Sequence, residues 1–176
     1  MNEQHHQYDR LKKSGLSPWK LRCDFKPDDI DYLTHLHGVL YAGEYGYDKT
    51  FEAYVAAGLA EFLKSFNPKK DRMWLAEVDD QIIGAIAVVG HSKVEAQLRW
   101  FLVHPDYRRR GLGSELMNNA LKFCKERKYK TVFLWTTNDL HAAGRLYIHT
   151  GFKKVEDKTH EIWGKRTTEE RYELQV

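Results

Sequence analysis

FLVHPDYRRRGLGSELM, residues Phe101 to Met117, joins an apolar run with strand character to a basic, glycine-punctuated turn that leads directly into an amphipathic helix. The first amides of a helix have no intrahelical acceptor, and the helix dipole places positive potential at the same end. Gly111 and Gly113 let an anion approach that backbone, and Arg108, Arg109 and Arg110 add positive charge. The combination is an anion cradle suited to a pyrophosphate, built on the backbone from Arg109 through Leu112 to Ser114. Other phosphate-binding patterns are excluded. Lys-Ser or Lys-Thr does not follow Gly113, as a nucleoside-triphosphate loop requires, and no GxGxxG is present.

Upstream of the turn, Met73 to Val78, Ile82 to Val89 and Ala96 to Val103 read as an antiparallel meander, with Asp79-Asp80-Gln81 and Gly90 to Lys93 as its turns. Two helices are expected before it. The first starts at Pro27-Asp28-Asp29, buries Ile30, Leu33, Leu36, Val39 and Leu40, and ends near Gly43; the second runs from Phe51 to Phe66, before Asn67-Pro68. From Trp19, WKLRCDF alternates as a first strand. Downstream of the turn, Leu112, Leu116, Ala120 and Phe123 share one helical face. Thr131 to Trp135 is strand-like, Ala142 to His149 a short helix, Gly151 to Val155 the opening of a strand, and Glu161 to Leu174 a further strand. The order βααβββαβαββ predicts an α/β chain of α+β type, a mixed sheet with helices on both faces.

At 176 residues the chain suits one domain, over residues 18–176, preceded by a polar tail or loose helix over residues 1–17. Charged residues at 30% and hydrophobic ones at 42% fit a globular protein and exclude a disordered or fibrous one. No window is apolar for long enough to span a membrane, and MNEQHHQYDRLKK lacks the apolar core of a secretory signal, so a soluble, cytoplasmic protein with no membrane partner is expected. Cys23 and Cys124 stand far apart without a CxxC partner and read as free thiols. His5-His6, His35 and His37 are not spaced as a zinc pair, so no metal is expected. A net charge of +3 is too modest to argue for a nucleic-acid partner.

Arg108-x-x-Gly111-x-Gly113, placed after FLVHP at the opening of a helix, resembles the acyl-CoA signature of the GCN5-related N-acetyltransferases (GNAT). LYIHTGF, Leu146 to Phe152, is similar to the later helix-to-strand motif of that family, at the family's usual separation. More narrowly, EYGYDKTFEAYVA, LRWFLVHP, LWTTNDLHAAGRLY and the final YEL resemble the acetyltransferase half of bacterial proteins that fuse a MarR-type DNA-binding domain to this fold.

The resemblance implies a GNAT acyl-CoA N-acyltransferase fold and acetyl-CoA as acyl donor, with transfer to a primary amine of a small molecule or protein by direct attack in a ternary complex. It also implies a bulge that parts the strand before the turn from its neighbour. Coenzyme A carries a pyrophosphate for the glycine turn and an amide-bearing arm that pairs like a strand with backbone at Phe101, Leu102 and Val103. Tyr147 takes the position of the family's general acid, beside the departing sulfur. The glutamate that several members use as base is here Gln97, which takes no proton, leaving Glu44, Glu95 or a water chain. Asn138 is a candidate for the arm's side-chain contact, because Leu140 stands where the family has asparagine. Arg99, assigned the strand parity of Gln97, Phe101 and Val103, reads either as a partner for an acidic group on the acceptor or as a structural partner for a helix acid. Tyr41, Tyr45, Tyr47 and Phe51 cluster around Glu44 as an acceptor wall. A non-catalytic acyl-CoA sensor or interaction module is the alternative. The amphipathic C-terminal strand leaves homodimerisation open.

Overall fold

The computed structural model describes residues 17–176, so the tail expected over residues 1–17 lies, apart from Ser17, outside the described residues. In chain order the elements are β1 (Lys20–Arg22), α1 (Asp29–Tyr45), α2 (Lys49–Ser65), β2 (Arg72–Val78), β3 (Gln81–Gly90) and β4 (Glu95–Val103). A short 3-10 turn (Pro105–Tyr107) precedes α3 (Leu112–Glu126), β5 (Thr131–Thr137), α4 (His141–Thr150), β6 (Lys153–Ile162) and β7 (Lys165–Gln175). This is the expected βααβββαβαββ order. The strands form one sheet, β1-β2-β3-β4-β5-β7-β6, in which every pair is antiparallel except β4 with β5.

Alternation along the strands divides the core in two. On one face Leu112, Leu116, Met117, Ala120 and Phe123 of α3 pack on Trp74, Ile86, Val88, Leu98, Val132 and Leu134. On the other, Leu33 of α1 and Val55, Leu59 and Phe62 of α2 pack on Met73, Leu75, Ala85, Ala87 and Trp100. Each fully buried leucine here contributes about 1.5–3 kcal/mol through removal from water. Local chemistry sets the helix ends. Asp29 and Asp31 lie in the first turn of α1, where the dipole favours them, and the Asp48 side chain accepts from the Thr50 amide at 2.9 Å to cap α2. Val39, expected on the buried face of α1, is 53% exposed; Leu33 and Leu36 are buried as expected, and His37 joins them.

The first strand is shorter than WKLRCDF suggests. Alternation turns its Arg22 to the α1 face, where it enters a buried ion cluster, bonding Asp29 through both carboxylate oxygens and Glu77 at 2.6 Å. At the C-terminus the expected strand from Glu161 to Leu174 is interrupted. Trp163 (φ 54) and Gly164 (φ 83) make a two-residue turn joining β6 to β7 as a hairpin. Gly164 is required twice over, by its positive φ and because a Cβ there would lie 2.8 Å from the Asp48 carboxylate.

The meander carries the feature that opens the sheet. Ala87 pairs with Arg99 and Ala85 with Leu102, so Trp100 and Phe101 oppose the single residue Ile86: a β-bulge, with Trp100 at φ 48. The parity assigned to Arg99 in the sequence therefore fails. The extra residue turns Phe101 and Val103 toward the α3 face, while Arg99 stays with Trp100 on the α2 face, where the two approach Gly58.

Candidate active site

Beyond the bulge the sheet splits. β4 and β5 pair only from Glu95↔Thr131 to Gln97↔Phe133. β4 then follows β3 to Val103, while β5 stays with β7 to Thr137. A slot runs between the diverging edges, and its floor and mouth form a cleft of about 120 Å³ that touches both faces. Phe101, Met117, Leu134, Thr136 and Tyr147 line it on the α3 side, and Tyr41, Tyr47, Phe51, Tyr54, Arg99 and Trp163 on the other.

At one end of the slot lies the glycine turn. Arg109 (φ 56) and Gly111 (φ 92) bend the chain into α3, and no side chain caps that helix, so its first-turn amides keep their donors. Gly113 faces Phe101 and Val103 across the turn, which joins the cradle to the end of β4. The three arginines differ in their surroundings. Arg108 is held by Glu44 in a bidentate pair (2.6 and 2.7 Å), and its Nε donates to the Val103 carbonyl at 2.9 Å. Arg110 lies over the Tyr107 ring at 5.6 Å, whereas Arg109 and Ser114 are exposed beside the cradle. The hydrogen bonds it donates to Glu44 raise the proton affinity of Arg108 further, so it is a fixed cation bracing the end of α1 against the exit of β4.

Tyr147, on α4, is buried among Phe101, Phe152 and Tyr172, with ring centroids 6.0–6.2 Å away. Burial pushes its phenol well above the usual range, so it keeps its proton. Leu140 lines the cleft, while Asn138 is exposed in the turn after β5, its amide donating to the Thr168 carbonyl at 3.0 Å. Gln97 is at the rim, 2.9 Å from His91 Nε2, and Glu95 lies at the far end of β4, 3.8 Å from Arg171.

The cleft also contains residues that the sequence reading did not single out for a site. Trp163, delivered by the β6–β7 turn, lies 4.9 Å from Phe51, 5.1 Å from Tyr47 and 5.5 Å from Tyr54, extending the aromatic wall. Glu169, which pairs with Thr137 across the strands, is the acidic residue of the lining and accepts a hydrogen bond from His160 at 2.6 Å. Tyr47 donates to Asp139 at 3.0 Å and contacts Thr137 Oγ1 at 2.6 Å. Burial disfavours the Asp139 anion, but donation from Thr137, Lys165 and Tyr47 outweighs this and holds its carboxyl below the usual value. His37 bonds the Leu33 carbonyl at 2.8 Å through Nδ1, and burial pushes its pKa down to about 4. Its Nε2 and Thr136 Oγ1 are buried with no partner among the described residues, polar atoms in a cleft lining that a ligand could satisfy.

A splayed strand pair, a glycine turn on a helix start and a tyrosine across the slot are the parts of one family's site, and the profile of the Acetyltransferase (GNAT) family matches residues 38–152. The chain belongs to the GNAT family. It is 29% identical over 129 residues to a Xenopus tropicalis protein named "Probable N-acetyltransferase camello", a match covering 69% of this chain and 59% of the relative. The chain thus spans about three-fifths of that relative's length. Among solved structures, Ard1 from Thermoplasma volcanium superposes with a TM-score of 0.73 at 23% identity, covering 91% of this chain and 99% of that one. The protein yncA from Salmonella typhimurium, solved with its cofactor acetyl-CoA, gives 0.66 at 15% identity, covering 90% of this chain and 94% of that one. Both show the GNAT fold. Among the described residues, no helix is long and apolar enough to cross a membrane.

Proposed function

We propose that this chain transfers the acetyl group of acetyl-CoA to a primary amine of a small molecule or protein, by direct attack in a ternary complex. The observation that carries the proposal is the split at the Trp100 bulge, which puts the glycine turn at one end of a slot and the aromatic cleft at the other.

The residues fit the donor. Amides from Arg109 to Ser114 would hold the pyrophosphate, and the unpaired edge of β4 from Phe101 to Val103 would pair with the pantetheine arm. Bound there, acetyl-CoA supplies an activated acyl thioester. The amide of Phe101 or Leu102 would stabilise the oxyanion, and the protonated Tyr147 phenol would donate to the leaving sulfur. Arg108 serves this site as the brace between Glu44 and Val103. Both oxygens of Glu44 face Arg108, so of the acidic side chains near the slot we assign the proton-accepting role to Glu169, in the cleft itself. Asn138, exposed at the rim, is left with a contact to the outer part of the arm.

Within the family we place the chain beside the acetyltransferase half of the MarR-fused proteins, because the segments that carry that resemblance supply Tyr47, Arg99, Thr137 and Tyr147 around the cleft. Two free thiols, Cys23 and Cys124, support a cytoplasmic location.

The test is a panel of primary amines with release of free CoA thiol as readout. Amine-dependent release is expected, falling about a hundredfold in kcat for Tyr147→Phe and for Glu169→Gln. Release no faster than hydrolysis for every amine, with acetyl-CoA bound, would favour the non-catalytic acyl-CoA module instead.

A further inference from the structure

The bulge at Trp100 divides the duties of β4. Phe101 and Val103 face α3 and the donor turn, whereas Arg99 faces α2 and cannot serve the pyrophosphate. Its guanidinium lies 4.3 Å over the Trp100 ring and 5.9 Å from that of Tyr54, with a 3.4 Å contact to the Tyr54 hydroxyl. No carboxylate of the described residues pairs with it, although Arg22, Arg108 and Arg171 each have one. A half-buried arginine fixed by aromatic stacking and lining a cleft presents its donor fork to whatever enters. That fork matches a carboxylate in two parallel hydrogen bonds.

We infer that the acceptor is an amino acid whose carboxylate is read by Arg99 and whose apolar or aromatic side chain packs on Tyr54, Phe51 and Trp163. This rests on the acetyltransfer reading and narrows it. Glu169, across the cleft from Arg99, gives the opposite charge that the amine end of a zwitterion requires. The aromatic wall then selects the body of the molecule by stacking and burial.

Binding of N-acetyl-L-phenylalanine and of N-acetyl-L-phenylalanine amide, each titrated calorimetrically in the presence of CoA, reads this without turnover. The acid is expected to bind at least about tenfold more tightly than the amide, the scale of a hydrogen bond to a charged group. Arg99→Gln is expected to collapse that ratio to about one, and Arg99→Lys to restore part of it. Equal binding of acid and amide, no measurable binding of either, or an acid preference that survives Arg99→Gln would overturn the inference. The same pair with free amines in the thiol-release assay separates the two readings. Transfer to the amine panel with no preference for carboxylates leaves acetyltransfer standing and removes the role of Arg99. No transfer alongside selective binding does the reverse.

Discussion

At the scale of the residue, burial and close approach decide most of what the cleft can do. His37 is neutral in the fold, with its pKa pushed down to about 4, while an unfolded histidine titrates near 6.5. Between those values the unfolded chain binds the extra proton, so stability falls as pH drops from about 6.5 toward 4. Urea midpoints measured across that window should show this slope, and His37→Gln should flatten it; an unchanged slope contradicts the assignment. Gly58 is a second case in which magnitudes compete. An alanine methyl there would sit 3.0 Å from Arg99 Nη2 and 3.1 Å from Trp100 Cζ2. Replacing glycine in a helix gains about 1 kcal/mol, but overpacking costs about 1–3 kcal/mol. Gly58→Ala should therefore lose up to about 2 kcal/mol in chemical denaturation, and a gain in stability would show that Arg99 is not held against α2.

At the scale of the element, the brace from α1 through Arg108 to β4 separates structural from chemical roles for Glu44. The side chains of Glu44 and Arg108 are 30% and 37% exposed, so the pair is worth no more than about 1 kcal/mol. Glu44→Gln should cost no more than that in stability and should lower kcat far less than Glu169→Gln. The opposite ranking would return the base to Glu44. The order of elements was legible because periodicity and turn chemistry agree along most of the chain. The bulge could be expected only from family likeness. Trp100, Phe101, Leu102 and Val103 are apolar at both parities, as in any strand buried on two faces, so nothing in them marks an extra residue. Parity counted across it put Arg99 with Phe101, on the wrong face. Trp163-Gly164 was missed for a different reason. It is a two-residue turn between strands rich in charge on both sides, where no apolar alternation breaks to announce it. Without that turn the wall lacked Trp163, and the reading from sequence passed over Glu169.

At the scale of the whole molecule, two cores on opposite faces hold a sheet that is fully paired at one end and open at the other. The β1–β2 edge of that sheet depends on the buried cluster of Arg22, Asp29 and Glu77, whose side chains are 6–8% exposed. Arg22→Met leaves two buried carboxylates with only the exposed Lys26 ammonium, 3.7 Å from Glu77, and should cost about 3–5 kcal/mol in urea denaturation. A cost below about 1 kcal/mol would mean that the cluster is solvated. Burial opposes ionisation of Asp29, but bonds from Arg22 and the Lys26 amide hold its carboxyl below the usual value. Its contribution is thus present above about pH 4 and lost as pH falls through the lower folded value. The open end is where function is placed, and donor binding there is the claim on which the rest depends. The most direct measurement is the melting temperature with and without acetyl-CoA at about a hundredfold excess over its Kd. Binding to the folded state alone predicts a rise of about 5–10 °C for a chain of this length. A melting temperature unchanged at millimolar acetyl-CoA would contradict the account.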